Sequence, residues 1–268
     1  MLACSLFTCQ LNNMNPLIFV SNDDGYNYPG LKALIEVARE FGDVIVAAPL
    51  NHQSGKASSI TMAEPLRVFK KKEEPGLTVY AVNGTPTDCA KLGLGVLVGD
   101  RKVDLVLSGV NHGFNHGNSV LYSGTLGVVM ESAMAGLPSV AFSYGDYAFD
   151  ADFSSCLPIM RHVIGKVLAN GLPKYVCLSV NIPMVEDGLK GMKMAVSAPG
   201  RWTNTWEHRV DPRGGDYYWM LGDYEEENPD DDRTDFYWLR KGFVTVTPIH
   251  IDQTDFDSMP AMQEMLEI

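Results

Sequence analysis

The stretch that most constrains this chain is Leu17-Ile18-Phe19-Val20-Ser21-Asn22-Asp23-Asp24-Gly25. Leu17 to Ser21 carries no charge and reads as a strand buried on both faces, the kind that parallel sheets contain. Taken alone, Asp-Asp-Gly is an ordinary polar turn. At the end of a buried strand it needs another reason, because buried carboxylates are costly unless paired or bound to a metal. The two acids read as ligands for a hard divalent cation, with Gly25 letting the chain turn away.

The remainder is large enough to build a frame for such a site. A chain of 268 residues supports one large domain with a sizeable core. The net charge of −12 argues against binding a nucleic-acid polymer or an anionic membrane, but not against a small phosphate held by a local site. Much of the excess lies between Asp223 and Asp235, with eight acids against one Arg, read as a solvated loop. The five cysteines, Cys4, Cys9, Cys89, Cys156 and Cys177, form no C-x-x-C pair and read as thiols of a reducing compartment. No apolar run reaches the roughly 18 residues that span a bilayer. Residues 1–13 lack the basic start of a signal peptide. They read as an unstructured extension before a possible true start at Met14, and the expected location is the cytoplasm.

In chain order, Pro29 sits where a helix begins, and Leu31, Leu34, Ile35, Ala38 and Phe41 follow at helical spacing up to Gly42. Val44 to Ala48 is a second buried strand, which completes a β-α-β unit of the right-handed kind. A small-polar loop spans Leu50 to Ser59. Leu66 to Phe69 and Val79 to Val82 read as strands, separated by the charged Lys70 to Glu74. An apolar helix is expected from about Thr87 to Val98, then a strand from Leu105 to Ser108 and a loop from Gly109 to Asn118. Ser123-Gly124-Thr125 opens another helix. Val140 to Ser143 is a strand, Phe153 to Leu168 an amphipathic helix, and Tyr175 to Ile182 a further strand. From about residue 190, aromatic and polar residues alternate through Trp202, Trp206, Tyr217, Tyr218 and Trp219, as in a projecting hairpin whose aromatics serve packing or subunit contact. Asp235 to Lys241 reads as a short helix and Phe243 to Ile249 as a last strand.

In an open parallel sheet, ligands collect beyond the carboxyl ends of the strands. Asp23 and Asp24 follow the first strand, Ser54 follows the second, Asn111 follows the strand at Leu105, and Ser123 to Thr125 start the next helix. Topology therefore puts them on one edge. Carboxylate, hydroxyl and amide oxygens suit Mg²⁺, Mn²⁺ or Ca²⁺, and no His/Cys spacing suits zinc. A helix start offers free N–H groups to an anion. Cation cradle and anion seat together point to phosphoryl chemistry. Hydrolysis of a phosphate monoester can need an acceleration near ~10²¹, roughly 28 kcal/mol, whereas a helix N-terminus supplies only about 0.3–2 kcal/mol. A metal ion is the missing contributor.

Several patterns carry less. His112 and His116 are four apart but lie in the expected loop, so they are not read as a metal pair. Gly93-Leu94-Gly95-Val96-Leu97-Val98-Gly99 imitates a dinucleotide fingerprint, yet falls inside a helix rather than at a strand-to-helix turn. Ser54-Gly55-Lys56 imitates a P-loop without its first glycine, since position 50 is Leu.

The ordered segments Ser21-Asn22-Asp23-Asp24-Gly25-Tyr26, Gln53-Ser54-Gly55, Gly84-Thr85-Pro86-Thr87-Asp88, Ser108-Gly109-Val110-Asn111-His112-Gly113 with Asn115, Tyr122-Ser123-Gly124-Thr125 and Thr234-Asp235 resemble the SurE family (stationary-phase survival protein E), which are metal-dependent nucleotidases. The resemblance runs from about residue 17 to 252. It implies an α/β fold with a Rossmann-like, mostly parallel sheet flanked by helices. Residues 14–268 would form one such domain, with a protruding C-terminal hairpin and tail from about residue 190 exchanged between subunits of a homodimer or homotetramer. It implies phosphate release from nucleoside 5′-monophosphates, and also from 3′-monophosphates or short polyphosphate. By motif, Asp23, Asp24, Ser54 and Asn111 match the metal ligands, with one Mg²⁺ or Mn²⁺ per subunit. Asn115, Ser123, Gly124 and Thr125 fall where the phosphate is expected. Two departures stand out: His112 occupies a position where the family commonly has Arg, and Leu50-Asn51 replaces a usual Asp-Arg.

The expected mechanism is attack by a metal-oriented water, with Asp23 and Asp24 as the catalytic acids committed to the ion. The alternatives are a non-catalytic nucleotide or phosphate sensor using the same edge, and a transferase using the same cradle.

Overall fold

The computed structural model describes residues 15–148 and 150–268. The expectations for residues 1–13, for Met14 as a start, and for Cys4 and Cys9 lie outside them. The elements in order are β1 (Leu17–Ser21), α1 (Pro29–Ala38), β2 (Asp43–Pro49), β3 (Val68–Glu74), β4 (Leu77–Val82), α2 (Pro86–Leu92), β5 (Leu105–His112), α3 (Gly124–Met134), β6 (Ser139–Tyr144), α4 (Leu157–Asn170) and β7 (Val176–Ile182). There follow β8 (Met192–Met194), β9 (Gly200–Trp202), β10 (Thr205–Val210), β11 (Asp216–Leu221), β12 (Tyr224–Glu226), α5 (Asp235–Arg240), β13 (Val244–His250) and α6 (Met259–Leu266).

Among the described residues the main sheet has nine strands in the order β3-β4-β2-β1-β5-β6-β7-β13-β8. From β4 to β7 the neighbours are parallel. Only β3 against β4 and β13 against β7 are antiparallel. Strand order reverses at β1, which pairs with β2 on one side and β5 on the other, so the topological switch point lies there. This is the expected α/β architecture with a mostly parallel sheet.

Every residue of β1 is buried, and its alternation splits the core. Ile18 and Val20 join the cluster containing Leu31, Leu34 and Val37 of α1 and Met160 and Ile164 of α4. Leu17 and Phe19 join the opposite cluster with Cys89 and Ala90 of α2 and Val128 of α3. Full burial of such side chains is worth about 1.5–3 kcal/mol each, so the strand carrying the acids is held rigidly from both faces. Cys89, Cys156 and Cys177 are free and buried. Burial pushes the thiols of Cys156 and Cys177 up to about 12, which keeps them protonated and unreactive. No helix among the described residues is long and apolar enough to cross a membrane.

Several expectations change in detail. The charged Lys70 to Glu74 does not separate neighbouring strands but forms most of β3. An edge strand leaves one flank to solvent, where Lys is tolerated and discourages further pairing. β5 runs on through Asn111 to His112, with its pairing to β6 shifting register between Ser108 and Asn111. Gly109 permits this: its φ is +121°, and a Cβ there would lie 2.3 Å from the Phe142 carbonyl oxygen. The expected 87–98 helix is α2 followed by a π-helical turn at Gly93–Leu97. The 153–168 helix starts as a 3-10 turn at Phe153–Cys156 before α4. The aromatic region is two separate ladders, β9 with β12 and β10 with β11, of which the β10–β11 hairpin is exposed on nearly all its residues.

The acidic run is not simply a solvated loop. Tyr224–Glu226 forms β12, Glu226 pairs with Arg240, and Asp235 is 1% exposed. Asp235 accepts hydrogen bonds from the Gly117 N–H at 2.8 Å and the Ala198 N–H at 3.0 Å. It therefore ties the loop after β5 to the C-terminal region. A side chain facing backbone donors from two segments is satisfied inside, which sequence composition does not register.

Candidate metal and phosphate site

Asp23 leaves the end of β1 with only 3% exposure, as does Asp24. The loop after β2 is pinned over them, because the Gln53 N–H donates to the Asp23 carbonyl at 2.8 Å. That contact brings Ser54 to the cavity lined by Asp23, Asn111, Asn115 and Ser123. The cavity measures ≈ 510 Å³, within the range of small-molecule sites. Ser54 itself is exposed.

Hydrogen bonds fix how the oxygens point. The Asn111 amide nitrogen donates to the carbonyls of Gly113 at 2.9 Å and His112 at 3.1 Å. Its oxygen is thereby turned the other way, to 3.5 Å from the Thr125 hydroxyl. That hydroxyl donates to Asp23 Oδ1 at 2.5 Å, and the Thr125 backbone N–H hydrogen-bonds Asp23 as well. Thr125, expected beside a phosphate, spends its hydroxyl on orienting Asp23.

Ser123 caps α3, its hydroxyl accepting from the Leu126 N–H at 3.2 Å. Gly124 lets the helix start approach the acids, since a Cβ there would lie 2.8 Å from the Asp23 Cβ and 2.8 Å from the Pro86 ring. Asn115 is held by its neighbours. Its N–H donates to Asn181 Oδ1 at 2.8 Å and its amide nitrogen to Ser143 Oγ at 2.9 Å. Ser143 and Asn181 lie in apolar strands, and no sequence signal marks them as supports for the site.

The electrostatics call for a cation. Burial, above all, pushes the Asp23 carboxyl up, opposed by the Thr125 hydroxyl and by His52. Asp24 is pushed up to about 7, first by burial and then by the charge of Asp23, with the His112 backbone N–H pulling the other way. His52 Nδ1 lies 3.5 Å from Asp24 Oδ1, a long contact on a half-exposed ring. A divalent ion bound beside the two carboxylates would offset both the desolvation and the repulsion. Among the described residues no group of three or more His, Cys, Asp or Glu side chains gathers in one place. Asp23, Ser54 and Asn111 line one cavity, whereas Asp24 does not line it and stands next to Asp23 in the chain; carboxylate, amide and hydroxyl oxygens of this kind would suit a hard oxygen-seeking ion and not zinc.

The two histidines are occupied otherwise. His116 stacks on Phe236, with ring centroids 4.0 Å apart and planes at 5°. His112 Nδ1 hydrogen-bonds the Ala148 carbonyl at 3.1 Å. Trp202, which the sequence places among packing aromatics, lines the same cavity as Asp23; only the fold brings it there.

The chain as a whole is similar to known proteins. A family described as survival protein SurE matches residues 18–204. A protein named 5′-nucleotidase SurE from Phocaeicola vulgatus is 43% identical over 244 residues, covering 91% of this chain and 94% of that protein. One of the same name from Cytophaga hutchinsonii is 43% identical over 240 residues, covering 89% and 92%. The crystal structure of the SurE protein from Aquifex aeolicus superposes with a TM-score of 0.79 at 34% identity, covering 94% of this chain and all of that one (100%). With the family matched across most of the chain and the fold shared over nearly all of it, the chain belongs to the SurE family.

Proposed function

We propose that the protein is a metal-dependent 5′-nucleotidase that releases phosphate from nucleoside monophosphates. The observation that carries this reading is one cavity holding Asp23, Asn111 and Ser54 beside the capped start of α3 at Ser123. Asp23, Asp24, Ser54 and Asn111 would hold one Mg²⁺ or Mn²⁺ per subunit. Such an ion supplies Lewis-acid charge and a more acidic bound water.

The chain's own groups do the remaining positioning. Gly124 would offer the N–H of a helix start, and Ser123 its hydroxyl, to the phosphate oxygens, and Asn115 flanks them with an amide. Thr125 keeps Asp23 in one orientation. The Gln53 N–H, donating to the Asp23 carbonyl, holds the Ser54 loop next to the first acid. The protein would act as a homodimer or homotetramer in the cytoplasm, with the C-terminal hairpin at the subunit contact. Activity on 3′-monophosphates and short polyphosphate would use the same seat.

The test is release of inorganic phosphate from the four nucleoside 5′-monophosphates with Mg²⁺, Mn²⁺ or Co²⁺, with EDTA as control. Activity should require the metal and vanish in Asp23→Ala, while that variant keeps its circular dichroism spectrum. Nucleotide binding without turnover under every metal would make the protein a sensor instead. Undiminished activity in Asp23→Ala would remove the proposed site.

A further inference from the structure

The cavity lining is of two kinds. Asp23, Asn111, Asn115 and Ser123 are polar, while Phe114, Tyr122 and Trp202 are aromatic, with the Arg201 cation next to Trp202 in the chain. A phosphate and a metal ion would use only polar and charged groups. The aromatic rings are left for another part of a substrate.

Trp202 is built to stay in place. Its Nε1–H donates to Ser119 Oγ at 3.1 Å, and its ring meets Tyr224 edge-on, with centroids 5.9 Å apart and planes at 76°. The preceding Gly200 accepts from the Asn118 side chain at 2.8 Å, and Tyr224 accepts from the Asn118 N–H at 2.9 Å. β9 is thus fastened to the 117–121 turn, which lies between Asn115 and Ser123. The indole spends its only donor on Ser119, so what it gives the cavity is carbon surface, and Trp202 remains 40% exposed. The ribose of a sugar phosphate has no π-face to stack on the indole. A nucleobase gains stacking of about 1–3 kcal/mol.

We propose that Trp202 is the platform on which the base of the nucleoside monophosphate stacks while the phosphate sits at Ser123. This rests on the nucleotidase reading above and adds how the substrate is recognised. Every base has a π-face, so the platform selects for the presence of a base more than for its identity.

The test compares AMP with ribose 5-phosphate in the unaltered protein, Trp202→Ala and Trp202→Phe, with KM and kcat separated. Trp202→Ala should raise the KM for AMP roughly tenfold, the range expected for one lost stacking contact. It should narrow the preference for AMP over ribose 5-phosphate by a similar factor, and Trp202→Phe should restore most of it. An unchanged KM for AMP in Trp202→Ala overturns the proposal. So does an equal loss on both compounds, which marks a purely structural tryptophan. If the unaltered protein releases phosphate from neither compound, the nucleotidase reading fails. Stacking is then decided by calorimetric binding of AMP, which Trp202→Ala weakens roughly tenfold if the platform exists and leaves unchanged if it does not.

Discussion

At the scale of single residues, the site depends on how side chains are oriented more than on which are present. Asp23 is a ligand type that any surface loop could offer. What sets it apart is a hydroxyl donor at 2.5 Å and near-complete burial. A group that orients a metal ligand typically contributes 10–100-fold in affinity or activity. Thr125→Val keeps the shape and removes the donor. It should weaken Mn²⁺ binding by about tenfold, measured by calorimetry on the metal-free protein, while the folded spectrum persists. Unaltered Mn²⁺ affinity would show that Asp23 needs no such support. The sequence points to Asp23 and Asp24 because they follow a buried parallel strand, and to Asn111 because it ends another, although β5 itself continues through it to His112. The role of Thr125 was not legible, because its place at a helix start is written locally but the direction of its hydroxyl is not.

At the scale of elements, the loop between β5 and α3 is clamped by segments far away in the chain. His116 lies between Phe236 of α5, stacked at 4.0 Å, and Tyr224 of β12, edge-on at 4.8 Å. Burial first, and Arg240 second, pull its imidazole down to about 4. In the unfolded chain a histidine titrates near pH 6.5. Between these values the unfolded state binds the extra proton, so stability falls as pH drops from about 6.5 to about 4. The difference corresponds to about 3 kcal/mol. His116→Phe keeps an aromatic ring against Phe236 and removes the titration. Denaturant unfolding at pH 7 and pH 4.5 should show a smaller loss for the variant than for the unaltered protein; equal losses would place the acid sensitivity elsewhere. The clamp is not legible in the sequence, because Tyr224 and Phe236 lie more than a hundred positions beyond His116 and share no local pattern with it.

At the scale of the whole molecule, the β10–β11 hairpin and α6 both expose large apolar side chains. On the hairpin, Trp206, Trp219, Met220 and Leu221 are all exposed. On α6, Met259, Met262, Met265 and Leu266 are exposed too. Several exposed large apolar side chains on both faces of one hairpin suit a subunit contact, and a stable association buries about 1,200–2,000 Å². The proposed homo-oligomer would cover them. Sedimentation velocity should find the protein larger than a monomer, and Trp206→Ser combined with Leu221→Ser should shift it toward the monomer. A monomeric unaltered protein at micromolar concentration would refute the subunit contact. The net charge of −12 does not oppose such contact, since apolar burial acts at short range and salt screens surface charges within about 8–10 Å.

By itself the sequence determined the frame: uncharged runs of strand length, helices between them, and polar residues at the strand ends. Local periodicity and turn chemistry are enough for that, because a strand buried on both faces and an amphipathic helix each write their environment into neighbouring positions. Topology alone then sent Asp23, Ser54, Asn111 and Ser123 to one edge. Only the tertiary structure decided which way the oxygens face, that Asp235 fastens the site loop from 118 positions away, and that Trp202 lines the cavity. Those outcomes rest on contacts between segments distant in the chain, whose distances and directions exist only once the sheet has brought the segments together.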